Sequence, residues 1–204
     1  MSPRNVEKDQ LLRETRREHI LDCALQVIAK QGIDSANVKD IAKEAGLSVG
    51  NVYNYFNSKD DIFSAVLQRG QINYGRKISD HALLELDARD KLHEICESWI
   101  ATPENWAFTI MLQSIRTNET VNPELREAAT RRFTANLEPM AEIMRQGQEA
   151  GVIVEGDPKQ LAFYFVSLIQ GLTLQLAPGY EIPVSIQAKT IVRLFSQPEN
   201  SRKK

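Results

Sequence analysis

Thr102-Pro103, Asn122-Pro123 and Asp157-Pro158 each set a potential capping side chain directly ahead of a proline, and this spelling of helix starts constrains the chain more than any other feature. Proline loses nothing at the first helical position, because that N–H has no intrahelical partner, while the preceding side chain accepts from the next free N–H groups. Helical spacing follows in Leu92, Ile95, Trp99 and Ile100, then in Leu125, Ala128, Ala129 and Phe133, and later in Ile186, Ile191, Leu194 and Phe195. Pro139, inside the long pattern over 122–150, is expected to kink its helix and open a cavity beside it. Only GVIVEG, residues 151–156, has a β-like run, and it reads as a connector between helices. The expected fold class is all-α.

Composition excludes several alternatives. Of 204 residues, 42% are apolar and 25% charged, which suits a globular chain and neither a disordered nor a disulfide-stapled one. Cys23 and Cys96 are the only cysteines and no C-x-x-C pair exists, so a reducing cytoplasm is the expected location. MSPRNVEKDQLL has no apolar run behind its charges, so no secretory signal is expected and the glycosylation-like Asn118-Glu119-Thr120 is idle. The most lipid-like stretch, residues 161–177, carries Ser167, Gln170, Gly171, Thr173 and Gln175 and falls short of a hydrocarbon core of about 30 Å; no membrane partner is expected. His19 with Cys23 and His93 with Cys96 have helix-face spacing, but two ligands do not make a site; no metal and no cofactor are expected. Net charge is −2, and residues 1–60 hold nine Lys or Arg and nine Asp or Glu, so any nucleic-acid contact has to come from local placement.

The stretch GLSVG, residues 46–50, matches the Gly-x-Ser-x-Gly of a serine hydrolase's nucleophile elbow, with Ser48 as nucleophile and His81 and His93 as potential bases. An elbow needs a strand entering it, because the strained strand-to-helix turn exposes the hydroxyl. The preceding NVKDIAKEA instead spaces Val38, Ile41, Ala42 and Ala45 as a helical stripe. A turn uses every position: Gly46 takes the left-handed conformation that ends a helix, Leu47 turns inward, and Ser48 caps a second helix, VGNVYNYF. That helix is expected to aim Val49, Val52 and Phe56 at its partner and to leave Gly50, Asn51, Tyr53, Asn54 and Tyr55 free. The pair, over about 38–56, forms a helix-turn-helix whose second member fits a major groove about 12 Å wide. Asparagine suits base edges, tyrosine hydroxyls and lysine suit phosphates, and Gly50 permits close backbone approach. A polar helix on a solvated surface is the alternative.

At this point the chain resembles a known family. REHILDCALQVIAKQGIDSANVKDIAKEAGLSVGNVYNYFNSKDDIFSAVL, residues 17–67, is similar to the N-terminal DNA-binding domain of TetR-family transcriptional regulators. The match runs through a first helix ending in Gly32, the Ile41-Ala42 and Ala45-Gly46 pairs, the Tyr53-x-Tyr55-Phe56 run and Ser58-Lys59. The resemblance implies phosphate contacts from Tyr53, Tyr55 and Lys59, base-edge positions for Ser48, Val49, Gly50, Asn51 and Asn54, and a groove-flanking Lys39. Asn37 stands where the family commonly has threonine, and asparagine can still cap that helix and donate to a phosphate. Arg13, Arg16 and Arg17, read as lying ahead of the first helix, either add an arm to the phosphates or form a solvated face with Glu14 and Glu18.

The expected organisation is a three-helix helix-turn-helix domain over 1–58 and a helical bundle over 59–204 that binds effector and dimerises. The bundle and effector are what the resemblance implies; the nearly all-round apolar 161–177 helix adds physical support, since one side can face its own bundle and the other a second subunit, or both can be monomer core. The dimer is expected through about 158–177 and 184–197. A hydrophobic effector would draw on Trp99, Trp106, Phe108, Met111, Met140, Met144 and Phe163, each of which at helical spacing also suits plain core. The function implied is a homodimer reading a palindromic operator on double-stranded DNA, a repressor by resemblance alone, released by a small molecule. The rivals are a small α-helical hydrolase using Ser48 and a helical interaction or membrane-surface protein using 161–177.

Overall fold

A computed structural model describes residues 3–102, 104–119, 121–179 and 181–198. They form α1 (Pro3–Gln31), α2 (Val38–Glu44), α3 (Val49–Tyr53), α4 (Lys59–Leu83), α5 (Ala88–Ile100), α6 (Asn105–Thr117), α7 (Pro123–Ala135), α8 (Leu137–Glu149), α9 (Pro158–Leu174) and α10 (Ala188–Arg193). The fold is all-α. Packing divides the chain into Met1–Arg69 and Gly70–Lys204, so the boundary lies inside α4, later than the junction read at Ser58.

Two of the three cap-proline starts are realised. Asn122 Oδ1 accepts from Glu124 N at 2.8 Å ahead of Pro123, and Asp157 Oδ1 accepts from Lys159 N at 2.8 Å and Gln160 N at 3.0 Å ahead of Pro158. Pro103 and Thr120 lie outside the described residues. Thr102 does not cap α6: its hydroxyl donates back to Ser98 O at 2.9 Å, and α6 starts at Asn105 behind Glu104, with no side-chain cap. The long 122–150 pattern is two helices rather than one kinked one. Pro139 has no N–H for Ala135 O and its ring crowds that carbonyl, so the ladder breaks at Asn136, between α7 and α8.

In the first unit, Ile20, Leu21, Val27 and Ile28 of α1, Ile41 of α2, Val52 and Phe56 from the α3 region, and Ile62 and Leu67 of α4 are buried. Each such side chain contributes about 1.5–3 kcal/mol of burial. Arg69 joins α4 to α1 through Glu18 at 2.9 Å and Asp22 at 2.8 Å. In the second unit, Leu92, Ile95 and Cys96 of α5, Met111 and Leu112 of α6, Met140, Ile143 and Met144 of α8, and Phe165 and Ile169 of α9 make the core. Gly147 lets α8 approach closely, since a Cβ there would lie 2.2 Å from Ile153 Cγ1 and 2.8 Å from Ala88 Cβ. The GVIVEG segment forms no strand. It pairs with the segment after α10 through an isolated antiparallel bridge, Ile153 with Ser196, in which Val154 N donates to Phe195 O and Gln197 N to Val152 O, both at 2.9 Å. No helix among the described residues is long and apolar enough to cross a membrane.

Candidate functional site

The local chain chemistry around Gly46 settles which motif GLSVG is. α2 leads into it, where an elbow would require a strand. Ala45 N bonds to Ile41 O at 2.9 Å and Leu47 N to Ala42 O at 2.8 Å, and Gly46 takes φ 66°, in the left-handed region. Ser48 Oγ accepts from Asn51 N at 3.2 Å, as an N-cap does. The nucleophile reading of Ser48 therefore lacks its structural context.

α3 is shorter than the VGNVYNYF stretch. After Tyr53 the chain tightens, with Tyr55 N and Phe56 N both bonding to Val52 O, at 3.0 and 3.2 Å. Val52 and Phe56 are buried as expected, but Val49 is 38% exposed and does not face inward. In so short a helix Val52 and Phe56 suffice to set the roll, and Val49, at the first position, falls outside the buried arc. Lys39, Gly50, Asn51, Tyr53 and Asn54 are exposed, and the side chains of Lys39, Asn51, Tyr53 and Asn54 make no hydrogen bond among the described residues. A Cβ at Gly50 would meet only Ser48 Oγ, at 4.0 Å, so nothing in the chain itself demands glycine there.

Asn37 caps α2, its Oδ1 accepting from Asp40 N at 3.0 Å and its Nδ2 donating to Asp40 Oδ2 at 2.7 Å. Lys59 is partly engaged: its Nζ donates to Asp34 O at 3.4 Å and lies 5.1 Å from the Phe63 ring centroid. Arg13, Arg16 and Arg17 are inside α1 rather than ahead of it. Arg13 donates to Asn54 O at 3.0 Å, at the end of α3, and covers the half-buried Tyr55 ring at 5.2 Å; Arg17 covers Phe56 at 5.2 Å. The sequence held no signal for this clamp, because α1 and α3 are distant along the chain.

Residues 20–66 match a profile for bacterial regulatory proteins of the tetR family, a span that runs from within α1 to within α4 and includes the whole turn. This segment is of the TetR-family type. PksA, an HTH-type transcriptional regulator of Bacillus subtilis (strain 168), is 32% identical over 95 residues, 47% of this chain and 46% of PksA, so the chain spans about half the length of that relative. The fatty acid metabolism regulator protein of the same organism is 28% identical over 146 residues, 70% of this chain and 73% of its own. A transcriptional regulator from Saccharomonospora viridis, solved in complex with choline, superimposes with a TM-score of 0.71 at 24% identity, over 91% of this chain and 100% of that one; this likeness is one of fold.

The second unit holds a small cavity beside the Asn136 break, about 20 Å³, room for about one water. Gln71 and Tyr74 of α4, Trp99 of α5, Phe108 and Leu112 of α6, Phe133, Asn136, Leu137, Val166 and Gln170 line it. Of the seven residues expected around an effector, Trp99 and Phe108 are brought here. Met111, Met140 and Met144 are buried elsewhere in the core, Trp106 is half-buried outside the lining, and Phe163 is 46% exposed on α9. The aromatic wall is edge-to-face: Tyr74 and Trp99 have centroids 4.7 Å apart, Trp99 and Phe108 6.0 Å. Gln71 Nε2 donates to Ala129 O at 2.9 Å, and Asn136 Nδ2 donates to Gln71 O at 2.8 Å, which ties α4 to the break. Trp99 Nε1–H is buried with no partner among the described residues, a state that costs about 1–3 kcal/mol.

Neither cysteine is poised for chemistry. Burial above all, with Glu97 behind it, pushes the Cys96 thiol up to about 12, and burial raises Cys23. Among the described residues no group of three or more His, Cys, Asp or Glu could hold a metal ion.

Proposed function

We propose that the chain is a homodimeric, sequence-specific transcriptional repressor of the cytoplasm, released from its operator by a small molecule bound in the second unit. The observation that carries this reading is the exposed face of α3: the side chains of Asn51, Tyr53 and Asn54, which make no hydrogen bond among the described residues, beside a glycine the fold does not require, on a helix held from behind by Val52 and Phe56. Asn51 and Asn54 read base edges, Ser48 and Val49 lie at the groove, and Lys39, Asn37, Tyr53, Tyr55 and Lys59 meet phosphates. Two copies place two such helices in successive major grooves about 34 Å apart, over an inverted repeat.

The α9 surface supports the dimer. Phe163 and Tyr164 are exposed, Ser167 and Gly171 lie along the same outward stripe, and a Cβ at Gly171 would meet nothing within 4 Å of its own chain. α10 contributes less than the 184–197 range suggested. It is a short helix on α5 with Ala188, Ile191 and Val192 buried, and Leu194 beyond it is exposed. The ligand released into control is a largely apolar one, as the aromatic lining of the cavity indicates.

The test is a mobility shift with inverted repeats from the DNA flanking the chain's own gene. Lys39→Ala is expected to weaken all sequences alike and lower the slope of log affinity against log salt by about one, while Asn51→Ala relaxes preference at particular bases. Equal losses from both, with preference intact, refute the base-reading role.

A further inference from the structure

Trp99 Nε1–H is the buried side-chain polar atom that finds no partner among the described residues, and its ring is a wall of the cavity. Gln170, 9% exposed and part of the same lining, also makes no side-chain hydrogen bond among the described residues, and neither does the Tyr74 hydroxyl. Indole N–H donates only, so whatever completes it must bring an acceptor. Among the described residues no carboxylate lines the cavity. The charges that border it are cationic: Arg132 donates to Gln71 Oε1 at 3.4 Å, and the Arg116 guanidinium sits 4.7 Å from the Phe133 centroid.

An aromatic wall alone would suit a cation through the ring quadrupoles. Here one face of Phe133 and the neighbourhood of Gln71 are already taken by guanidinium groups, and a further cation would enter without a counter-charge. We infer that this cavity takes an uncharged, largely apolar molecule bearing a carbonyl-type acceptor seated on Trp99 Nε1–H, and that it rejects organic cations. The inference rests on the reading of the second unit as an effector-binding body. Because the enclosed space is about 20 Å³, the ligand enters by spreading the walls, and the unpartnered donors of Trp99 and Gln170 give it something to meet once inside. The choline held by the Saccharomonospora viridis protein is thus not the class of molecule this lining selects.

Calorimetric titration of the full chain with propiophenone, propylbenzene and phenyltrimethylammonium tests it, since the first two share a skeleton and differ in the acceptor. Propiophenone is expected to bind about tenfold tighter than propylbenzene, and phenyltrimethylammonium weakest. In Trp99→Phe, which keeps a ring and deletes the donor, the ketone's advantage disappears while propylbenzene binding changes by less than about threefold. An advantage that persists in Trp99→Phe shows that the ketone's acceptor is not seated on the Trp99 N–H, and overturns the inference. Tightest binding by phenyltrimethylammonium, or no binding by any of the three at millimolar concentration, overturns it as well; these rankings use the unaltered chain and do not depend on the variant folding. A mobility-shift arm separates the two levels. Trp99-dependent ketone binding with unchanged DNA affinity defeats the effector reading alone, whereas DNA release by phenyltrimethylammonium and not by propiophenone defeats the ligand class alone.

Discussion

At the level of single side chains, Gly50 gives the sharpest separation between what the fold needs and what DNA recognition needs. Its Cβ position is open, so Gly50→Ala is expected to raise stability by about 0.4–1 kcal/mol through a stiffer unfolded chain, while weakening operator binding. Urea denaturation and a mobility shift on the same variant check both signs; a gain in stability with undiminished DNA affinity removes Gly50 from the interface. Cys96 yields a pH prediction. Its thiol rises from 9.0 to about 12 in the fold, so the unfolded chain ionises first, and the associated stability is fully present below pH 9 and is lost as pH climbs toward 12. Burial raises the Tyr74 hydroxyl in the same direction. The urea midpoint is therefore expected to fall above pH 9, less steeply in Cys96→Ala, and Cys96 is expected to resist alkylation at pH 8 until the chain unfolds. The role of Gly46 was legible in advance, because a left-handed helix end depends on the residue itself. Arg13 was not, since nothing local to it points to Asn54.

Among the elements, α4 shows how a helix accepts neighbours. Gly70 and Gly75 lie on it, and a Cβ would fall 2.2 Å from Phe108 Cε2 at the first and 2.2 Å from Asn136 Oδ1 at the second. Both neighbours line the cavity, so the glycines seat its walls against α4. Gly70→Ala is expected to cost about 1–3 kcal/mol by overpacking, despite the better helix propensity of alanine, and to change probe binding in calorimetry. A Gly70→Ala chain as stable as the parent, with identical probe affinities, shows that Phe108 is not held there. The break at Asn136 belongs to the same scale. Pro139 announced a disturbance in the 122–150 pattern, but a proline specifies only which carbonyl is left over, and the Asn136 contact with Gln71 O comes from α4.

For the molecule as a whole, the exposed aromatics of α9 make a concrete claim about assembly. Tyr164 is 50% exposed next to Phe163, with ring centroids 6.3 Å apart, a pair that a second subunit would cover. If the proposed homodimer forms through α9, Tyr164→Asp is expected to shift the sedimentation mass from dimer to monomer at micromolar concentration, and to reduce affinity for a full inverted repeat far more than for one half-site, because only a dimer would engage both grooves. A variant that stays dimeric places the interface elsewhere.

Helix class, the sharp turn at Gly46 and the caps at Asn122 and Asp157 follow from interactions spanning a few residues, and they could be read letter by letter. Which faces are buried could not. Periodicity says that Met111, Met140, Met144 and Phe163 share spacing with their helices, but a helix covered on several sides has more than one apolar face, and spacing does not say which one meets a cavity. The packing of α4, α5, α6 and α9 chose Tyr74, Trp99, Phe108 and Gln170 for that place. The same limit applies to α3, where the burial of Val52 and Phe56 against the rest of the first unit, rather than the valine's own hydrophobicity, left Val49 exposed.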